Sequence, residues 1–267
     1  MTEQKIPSII HYCWYGHGSK SELFEKCLES WKRYMPECQI VEWNEDNTDL
    51  SANAFIKGAY EAKKWAFVSD YTRFKVLYEH GGIYLDTDVE LKASWSQFMN
   101  AESFFFFQNH DQINTGQGFG AAKGNEVIKK MLDCYDHIEF VMASSITCPR
   151  LNTGAVTGWE TFQPNGETQN IRGNLFICAE DYWKTAYHYG EFSWMDEAHR
   201  QALRFAKKKH GAWKIKKFFR NPKIFEFLNN HHLGGVARIY TFLIYDFIDY
   251  GFLYWVVRGW QKLTGKG

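Results

Sequence analysis

Apolar and polar residues alternate between two periods along the first half of the chain, and the changes of period mark the elements. Ile6 to Tyr15 (IPSIIHYCWY) is short, β-branched and aromatic after a proline, which predicts a buried first strand. Ser21 to Tyr34 places Leu23, Phe24, Cys27, Leu28 and Trp31 at helical spacing behind Ser21, a residue type suited to an N-cap. Cys38 to Trp43 reads as a second strand. Asn53 to Gly81 follows as one or two helices, stopped by Gly81-Gly82. Ile83 to Asp86 is a short strand that ends in an acidic loop, Phe104 to Gln108 and Gly118 to Ala122 read as further strands, and Glu126 to Tyr135 as a helix. Strand and helix in alternation predict an α/β domain with a mostly parallel, Rossmann-like sheet flanked by helices. In such sheets ligands bind beyond the carboxyl ends of strands, where Asp86 and Asp88 fall.

Composition narrows the class. The chain has 267 residues, 45% hydrophobic and 18% aromatic, which is enough to build a sizeable core and excludes general disorder. Its 31 cationic residues balance 31 anionic ones, so a polycation built to grip nucleic acid is not expected. Cys13, Cys27, Cys38, Cys134, Cys148 and Cys178 are scattered without CxxC or metal spacing, and the N-terminus has no apolar signal core, so reduced thiols in a cytoplasmic protein are expected. The zero net charge hides an uneven distribution. Arg200, Arg204, Lys207, Lys208, Lys209, Lys214, Lys216, Lys217, Arg220 and Lys223 lie in a stretch without acids. An aromatic run from Ile239 to Trp260 comes later, and Asp246, Asp249 and Arg258 make it a poor spanning helix. The expected division is therefore a main domain over 1–200 and a basic, aromatic, helical appendage over 201–267. Basic plus amphipathic aromatic character suits an anionic membrane surface, and a helix face hidden against the body is the competing reading. His231-His232 reads as a polar loop before Gly234-Gly235.

The chemistry concentrates in WAFVSDYTRFKVLYEHGGIYLDTDVE, Trp65 to Glu90. Asp86 and Asp88, one residue apart after a strand, form a compact oxygen site that suits Mg²⁺ or Mn²⁺ with positions left open for phosphate oxygens. Asp70 and Arg73 share a helical face at i, i+3, and the spacing alone predicts a surface ion pair that contributes little. Glu102, Asp111 and the segment Gln108 to Gly116 read as a solvated loop, with a surface facing an acceptor as the competing reading. Neither GxGxxG nor GxxxxGK[ST] occurs, which argues against a dinucleotide fold and a P-loop NTPase.

The run SDYTRFKVLYEHGGIYLDTDVE resembles the signature of the DXD-containing glycosyltransferases of family 32 and is similar to the catalytic domain of the large clostridial glucosylating toxins. IPSIIHYCWYG resembles the family's first strand, INTGQGFGAAKGNEVIKKML a segment leading into a helix under the site, and TAYHYGEFSW its late motif. The four segments span roughly 5–195 in family order, with Tyr189 and Phe192 departing from the usual late histidine and glycine. The resemblance implies a GT-A-like fold and metal-dependent, retaining transfer of a hexose from a nucleotide-sugar donor to a glycan acceptor, with UDP-galactose or UDP-glucose favoured. A lipid-linked acceptor in bacterial surface polysaccharide synthesis (capsule or O-antigen), met at the inner membrane face, completes the expectation. By that resemblance Trp14 stacks on the base, with Cys13, Ser69 and Tyr84 lining the donor site. Asp70 binds sugar hydroxyls, and Arg73 contacts sugar or phosphate. Asp86 reaches ribose and metal, Asp88 ligates the metal, His188 completes the metal site, and Ser193 and Trp194 close over the pyrophosphate. Asn152-Thr153-Gly154 sits where the family has a loop near the acceptor. No catalytic base is implied. Two other readings compete: a metal-dependent phosphohydrolase using Asp86 as nucleophile, disfavoured by Glu90 two residues past the second aspartate, and a non-catalytic membrane-surface module with a structural cation.

Overall fold

A computed structural model of the chain describes residues 4–108, 112–140, 148–157, 162–173, 175–179 and 182–189. Ser193, Trp194, Asp111, His231, His232 and the whole segment 201–267 lie outside the described residues. The strands are β1 (Ile9–Cys13), β2 (Gln39–Trp43), β3 (Gly82–Leu85), β4 (Val89–Leu91), β5 (Ser103–Gln108), β6 (Gln112–Asn114), β7 (Gly118–Ala121), β8 (Gln169–Ile171), β9 (Leu175–Cys178) and β10 (Ala186–His188). The helices are α1 (Glu22–Tyr34), α2 (Ala54–Glu61), α3 (Trp65–His80), α4 (Glu126–Asp136), α5 (Cys148–Thr157) and the single turn α6 (Tyr182–Thr185).

Eight strands form one sheet in the order β2-β1-β3-β7-β5-β9-β8, with β6 hydrogen-bonded to β5. β2, β1 and β3 pair in parallel, β7 runs against both β3 and β5, and β5 pairs in parallel with β9. Five strands (β1, β2, β3, β5, β9) therefore point one way, and the sheet is mixed but mostly parallel, as the alternation of elements predicts. β4 and β10 form a separate antiparallel pair.

The sheet is covered on both faces, and its inner strands β3 (GIYL) and β5 (SFFFFQ) read as apolar runs. α1 buries Phe24, Cys27 and Trp31 with Ile10, Tyr12, Ile83, Leu85, Phe104 and Phe106 on one face. On the other, α2, α3 and α4 bury Ile56, Val68, Phe74, Leu77, Ile128 and Met131 with Tyr84, Phe105, Phe107 and Phe119. The four consecutive phenylalanines of β5 thus alternate between two cores, as the pleat requires. At about 1.5–3 kcal/mol for each fully buried large apolar side chain, this strand alone contributes several kcal/mol.

Local signals explain the boundaries. Ser21 Oγ accepts from the Phe24 N–H at 3.1 Å and starts α1. Asn53 and Asn125 cap α2 and α4 in the same way. The Asn53–Gly81 stretch is two helices, broken at Lys63, whose φ is +55°. α3 stops at Gly81, where φ is +69° and a Cβ would lie 2.7 Å from the Lys123 nitrogen, so a side chain there is strained and crowded.

Two loop expectations are corrected. Gln112–Asn114 is strand β6, paired to β5 through Phe106, Phe107 and Gln108. Asn152-Thr153-Gly154 lies inside α5 and not in a loop. Thr153 Oγ1 accepts from the Ile113 N–H at 2.8 Å, so α5 packs on β6 through a buried polar contact that holds it helical despite Gly154.

Candidate active site

The site is assembled where β3 ends. Gly82–Leu85 is buried throughout, so the chain emerges at Asp86 with its direction fixed. The Asp86 N–H donates to the Gln117 carbonyl at 2.9 Å, and the Asp86 carbonyl accepts from the Val89 N–H at 3.1 Å, closing the acidic turn. β4 then leaves the turn along α1. The Trp31 indole donates to the Val89 carbonyl at 2.7 Å, and the Leu91 N–H donates to Ser30 Oγ at 2.9 Å. β10 pairs with β4 and sets His188 opposite Val89.

Asp70 and Arg73 are not the surface pair that spacing alone predicts. Arg73 is 3% exposed, and its Nη2 lies 3.0 Å from Asp70 Oδ1 and 3.4 Å from Asp86 Oδ1. Its remaining donors also find oxygens: Nε reaches the Ser69 carbonyl at 3.0 Å, Nη2 reaches Ser69 Oγ at 3.1 Å, and Nη1 donates to the Thr115 carbonyl. Its guanidinium carbon sits 4.7 Å from the centre of the Tyr84 ring. An i, i+3 spacing fixes which residues share a helix face but not whether that face meets water, and here the face of α3 turns to the sheet. A buried, planar, five-donor cation suits this position, and a lysine could not make the same contacts.

The acids are held out of their ordinary range. Burial pushes Asp86 up to about 6; Arg73 opposes that shift and the nearby Asp88 adds to it. Burial also raises Asp70, against Arg73 and a hydrogen bond from the Cys148 thiol. Tyr84, 1% exposed, donates its hydroxyl to Asp86 Oδ1 at 2.9 Å. Burial lowers His188, but the hydrogen bond and charge of Asp88, with the charge of Asp86, outweigh it and raise the pKa. His188 Nε2 lies 3.2 Å from Asp88 Oδ2.

The other sequence-predicted residues take distinct places. Cys13 is buried beneath Tyr84, and burial pushes its thiol up to about 12. Ser69 donates to the Ala66 carbonyl at 2.7 Å and props Arg73. Trp14 follows β1, half-buried, with its indole N–H on the Gly18 carbonyl at 2.9 Å and its ring 5.3 Å from Phe24. Asp70, Arg73, Tyr84 and Asp86 are in direct contact, and Asp88 with His188 adjoins them electrostatically. Thr115, Gln117 and Cys148 belong to the same neighbourhood and were not singled out by sequence. Thr115 and Gln117 lie on the turn between β6 and β7 and Cys148 opens α5, and their contacts are tertiary.

The donor set fits a hard divalent cation. Asp70 and Asp86 share a single arginine while Asp88 lies against His188, and a carboxyl raised to about 6 is one that a second cation would relieve. Among the described residues no group of three or more His, Cys, Asp or Glu side chains is arranged to hold a metal ion. Asp86 and Asp88 would hold such an ion from one side, leaving positions for phosphate oxygens, and the ion would supply Lewis-acid neutralisation of a departing diphosphate.

The profile of the family described as "Glycosyltransferase sugar-binding region containing DXD motif" matches residues 21–105. No curated protein matches the chain. Among solved structures, a PaToxG glycosyltransferase aligns with a TM-score of 0.46 and 17% identity over 57% of this chain and 68% of that one. A glycosyltransferase involved in glycosylation of the major capsid of PBCV-1 aligns with a TM-score of 0.36 and 15% identity, over 70% and 95%. By the DXD sugar-binding region that spans α1 to β5, the chain is a glycosyltransferase.

Proposed function

We propose that the chain is a family 32 hexosyltransferase that depends on Mn²⁺ or Mg²⁺ and transfers glucose or galactose from a UDP-sugar to a glycan acceptor with retention. The observation that carries this reading is the buried Asp70–Arg73–Asp86 cluster set against Asp88 at the carboxyl end of β3. Ligands of α/β sheets bind beyond the carboxyl ends of the strands, and fixed charges there support a donor diphosphate and its sugar meeting at this point. In this reading Asp70, 13% exposed, presents its carboxylate to donor hydroxyls, and Arg73 holds Asp70 and Asp86 in place through a single Nη2. Tyr84 orients Asp86 through its hydroxyl. Trp14 supplies an aromatic face for the base, and Asp86 and Asp88 hold the cation. No side chain is assigned as base or covalent nucleophile.

The acceptor in this proposal is a lipid-linked glycan of a bacterial surface polysaccharide, and the basic, aromatic segment 201–267 docks the enzyme on the inner membrane face. Among the described residues no helix is long and apolar enough to cross a membrane. Calorimetric titration of UDP and a panel of UDP-sugars, with and without Mn²⁺, on the wild type and Asp88→Asn tests the donor site. Metal-dependent binding lost in Asp88→Asn is expected. Equal binding by both proteins, or none with Mn²⁺ present, would refute the proposal for UDP donors.

A further inference from the structure

His188 is joined to a chain of amides whose polarity can be read from one unambiguous donor. The Gly116 backbone N–H can only donate, and it does so to Asn114 Oδ1 at 3.2 Å. The other end of the Asn114 amide is therefore NH₂, and it donates to Gln117 Oε1. That fixes the Gln117 amide in turn, so its NH₂ faces His188 Nδ1 at 2.8 Å. A nitrogen that accepts carries no proton. In the neutral imidazole the proton then lies on Nε2, which points to Asp88 Oδ2 at 3.2 Å. Reversing the tautomer would require both amides to turn and would leave the Gly116 N–H facing an NH₂ group. Asn114 is 3% exposed, so water is a poor substitute partner there.

We infer that Asn114 and Gln117 form an amide relay that keeps the His188 proton on Nε2, making His188 a hydrogen-bond donor that positions the Asp88 carboxylate and not a nitrogen ligand of the cation. The inference rests on the proposed cation site only for its consequence, the aim of Asp88. Gln117 serves the site twice, since its backbone carbonyl also accepts the Asp86 N–H at 2.9 Å. One residue on the turn between β6 and β7 thereby fixes the backbone of the first aspartate and, through His188, the side chain of the second. It lies outside the acidic pair and the matched region, residues 21–105, within the resembling segment that starts at Ile113. Outer partners of this kind set ligand orientation in metal sites generally.

The test uses the full chain labelled with ¹⁵N-histidine. In the metal-free protein at mildly alkaline pH, long-range ¹H–¹⁵N correlation spectra report each tautomer, and the His188 signals are those lost in His188→Gln. The wild type is expected to show the Nε2–H form. Gln117→Glu sets an acceptor against Nδ1 and is expected to switch His188 to the Nδ1–H form. Asn114→Asp, which does not touch His188, is expected to turn the Gln117 amide and give the same switch. Mn²⁺ alone is then added: hyperfine spectra of the wild type should show no directly bonded histidine nitrogen, and Mn²⁺ affinity should fall about 10–100-fold in Gln117→Glu. An Nδ1–H wild type, a tautomer unmoved by both substitutions, or a strong histidine-nitrogen coupling to Mn²⁺ would overturn the inference. If Mn²⁺ does not bind the wild type, the proposed cation site fails, while the metal-free tautomers still decide the relay.

Discussion

Replacing Arg73 by methionine keeps much of its volume and removes its charge, leaving Asp70 and Asp86 facing each other across the space it filled. Both carboxylates are mostly shielded, at 13% and 24% side-chain exposure, so water makes up only part of the loss. Breaking a buried ion pair by removing one partner costs about 3–5 kcal/mol. The contacts to Ser69 and to the Thr115 carbonyl disappear as well, but the larger figure is not expected because Asp86 can take up a proton, its pKa already standing near 6. At about 2–4 °C per kcal/mol for a protein of this size, the melting temperature at neutral pH should fall by about 6–12 °C for a loss of about 3 kcal/mol. The pH dependence has a definite sign. Without Arg73 the two aspartates titrate still higher in the native state than in the unfolded chain. Native Arg73→Met therefore binds more protons than its unfolded form and gains stability as pH falls from neutral toward the ordinary aspartate value of 3.8. Thermal scans of wild type and variant from pH 7.5 to pH 5 should show the gap narrowing, as an order-of-magnitude trend set by these shifts. The double variant with Asp70→Asn should recover part of the loss. A gap below about 1 kcal/mol at neutral pH, the range of exposed pairs, would refute the reasoning and return Asp70–Arg73 to the surface.

Other consequences are as direct. Divalent-cation affinity should weaken as pH drops through about 6, where Asp86 gains a proton, and Mn²⁺ titrations at stepped pH would show it; a flat profile contradicts that assignment. Ser21→Ala should cost about 1 kcal/mol in urea denaturation, through loss of the Phe24 N–H partner at the head of α1. Phe104→Ala should cost about 3–5 kcal/mol, because the ring is fully buried and packs edge-on against Trp95 at 5.5 Å. His11 should stay neutral to about pH 4, since burial lowers it while its ring is held between the Gly81 carbonyl and the Trp43 indole; histidine NMR would check this.

The first half of the fold is legible in sequence because there each element carries its own punctuation. Ser21 opens α1, Gly81-Gly82 closes α3, and the runs 9–13 and 82–85 are largely apolar, with His11 the polar exception. β10 lacks such marks: it is three residues long and exists because β4 offers it a partner. The resemblance puts a loop at Asn152-Thr153-Gly154, yet these residues lie in α5, where Pro149 stands second, a position where its missing N–H costs little. Within the site the acidic pair is legible as a motif and Arg73 as part of a resemblance. The burial of Arg73 and the relay through Asn114 and Gln117 are not, since both depend on what the sheet brings beside them and not on spacing along the chain.

β5 raises a further point about how the sheet finds its alignment. A strand apolar on both faces gains nothing from polarity when it slips by one residue, so the usual cue for register is missing. The neighbouring β7 supplies a mechanical one. Gly120 stands opposite Phe104, and the Phe104 ring occupies the place a Cβ at Gly120 would take, at 2.3 Å. Next to it Phe105 stacks on Phe119 at 5.0 Å and 12°. Moved by one position, a ring would meet Phe119 or Ala121 where it now meets empty space. The bare backbone of one glycine thus acts as a notch that indexes the strand, and through β7 it sets where the turn carrying Gln117 arrives.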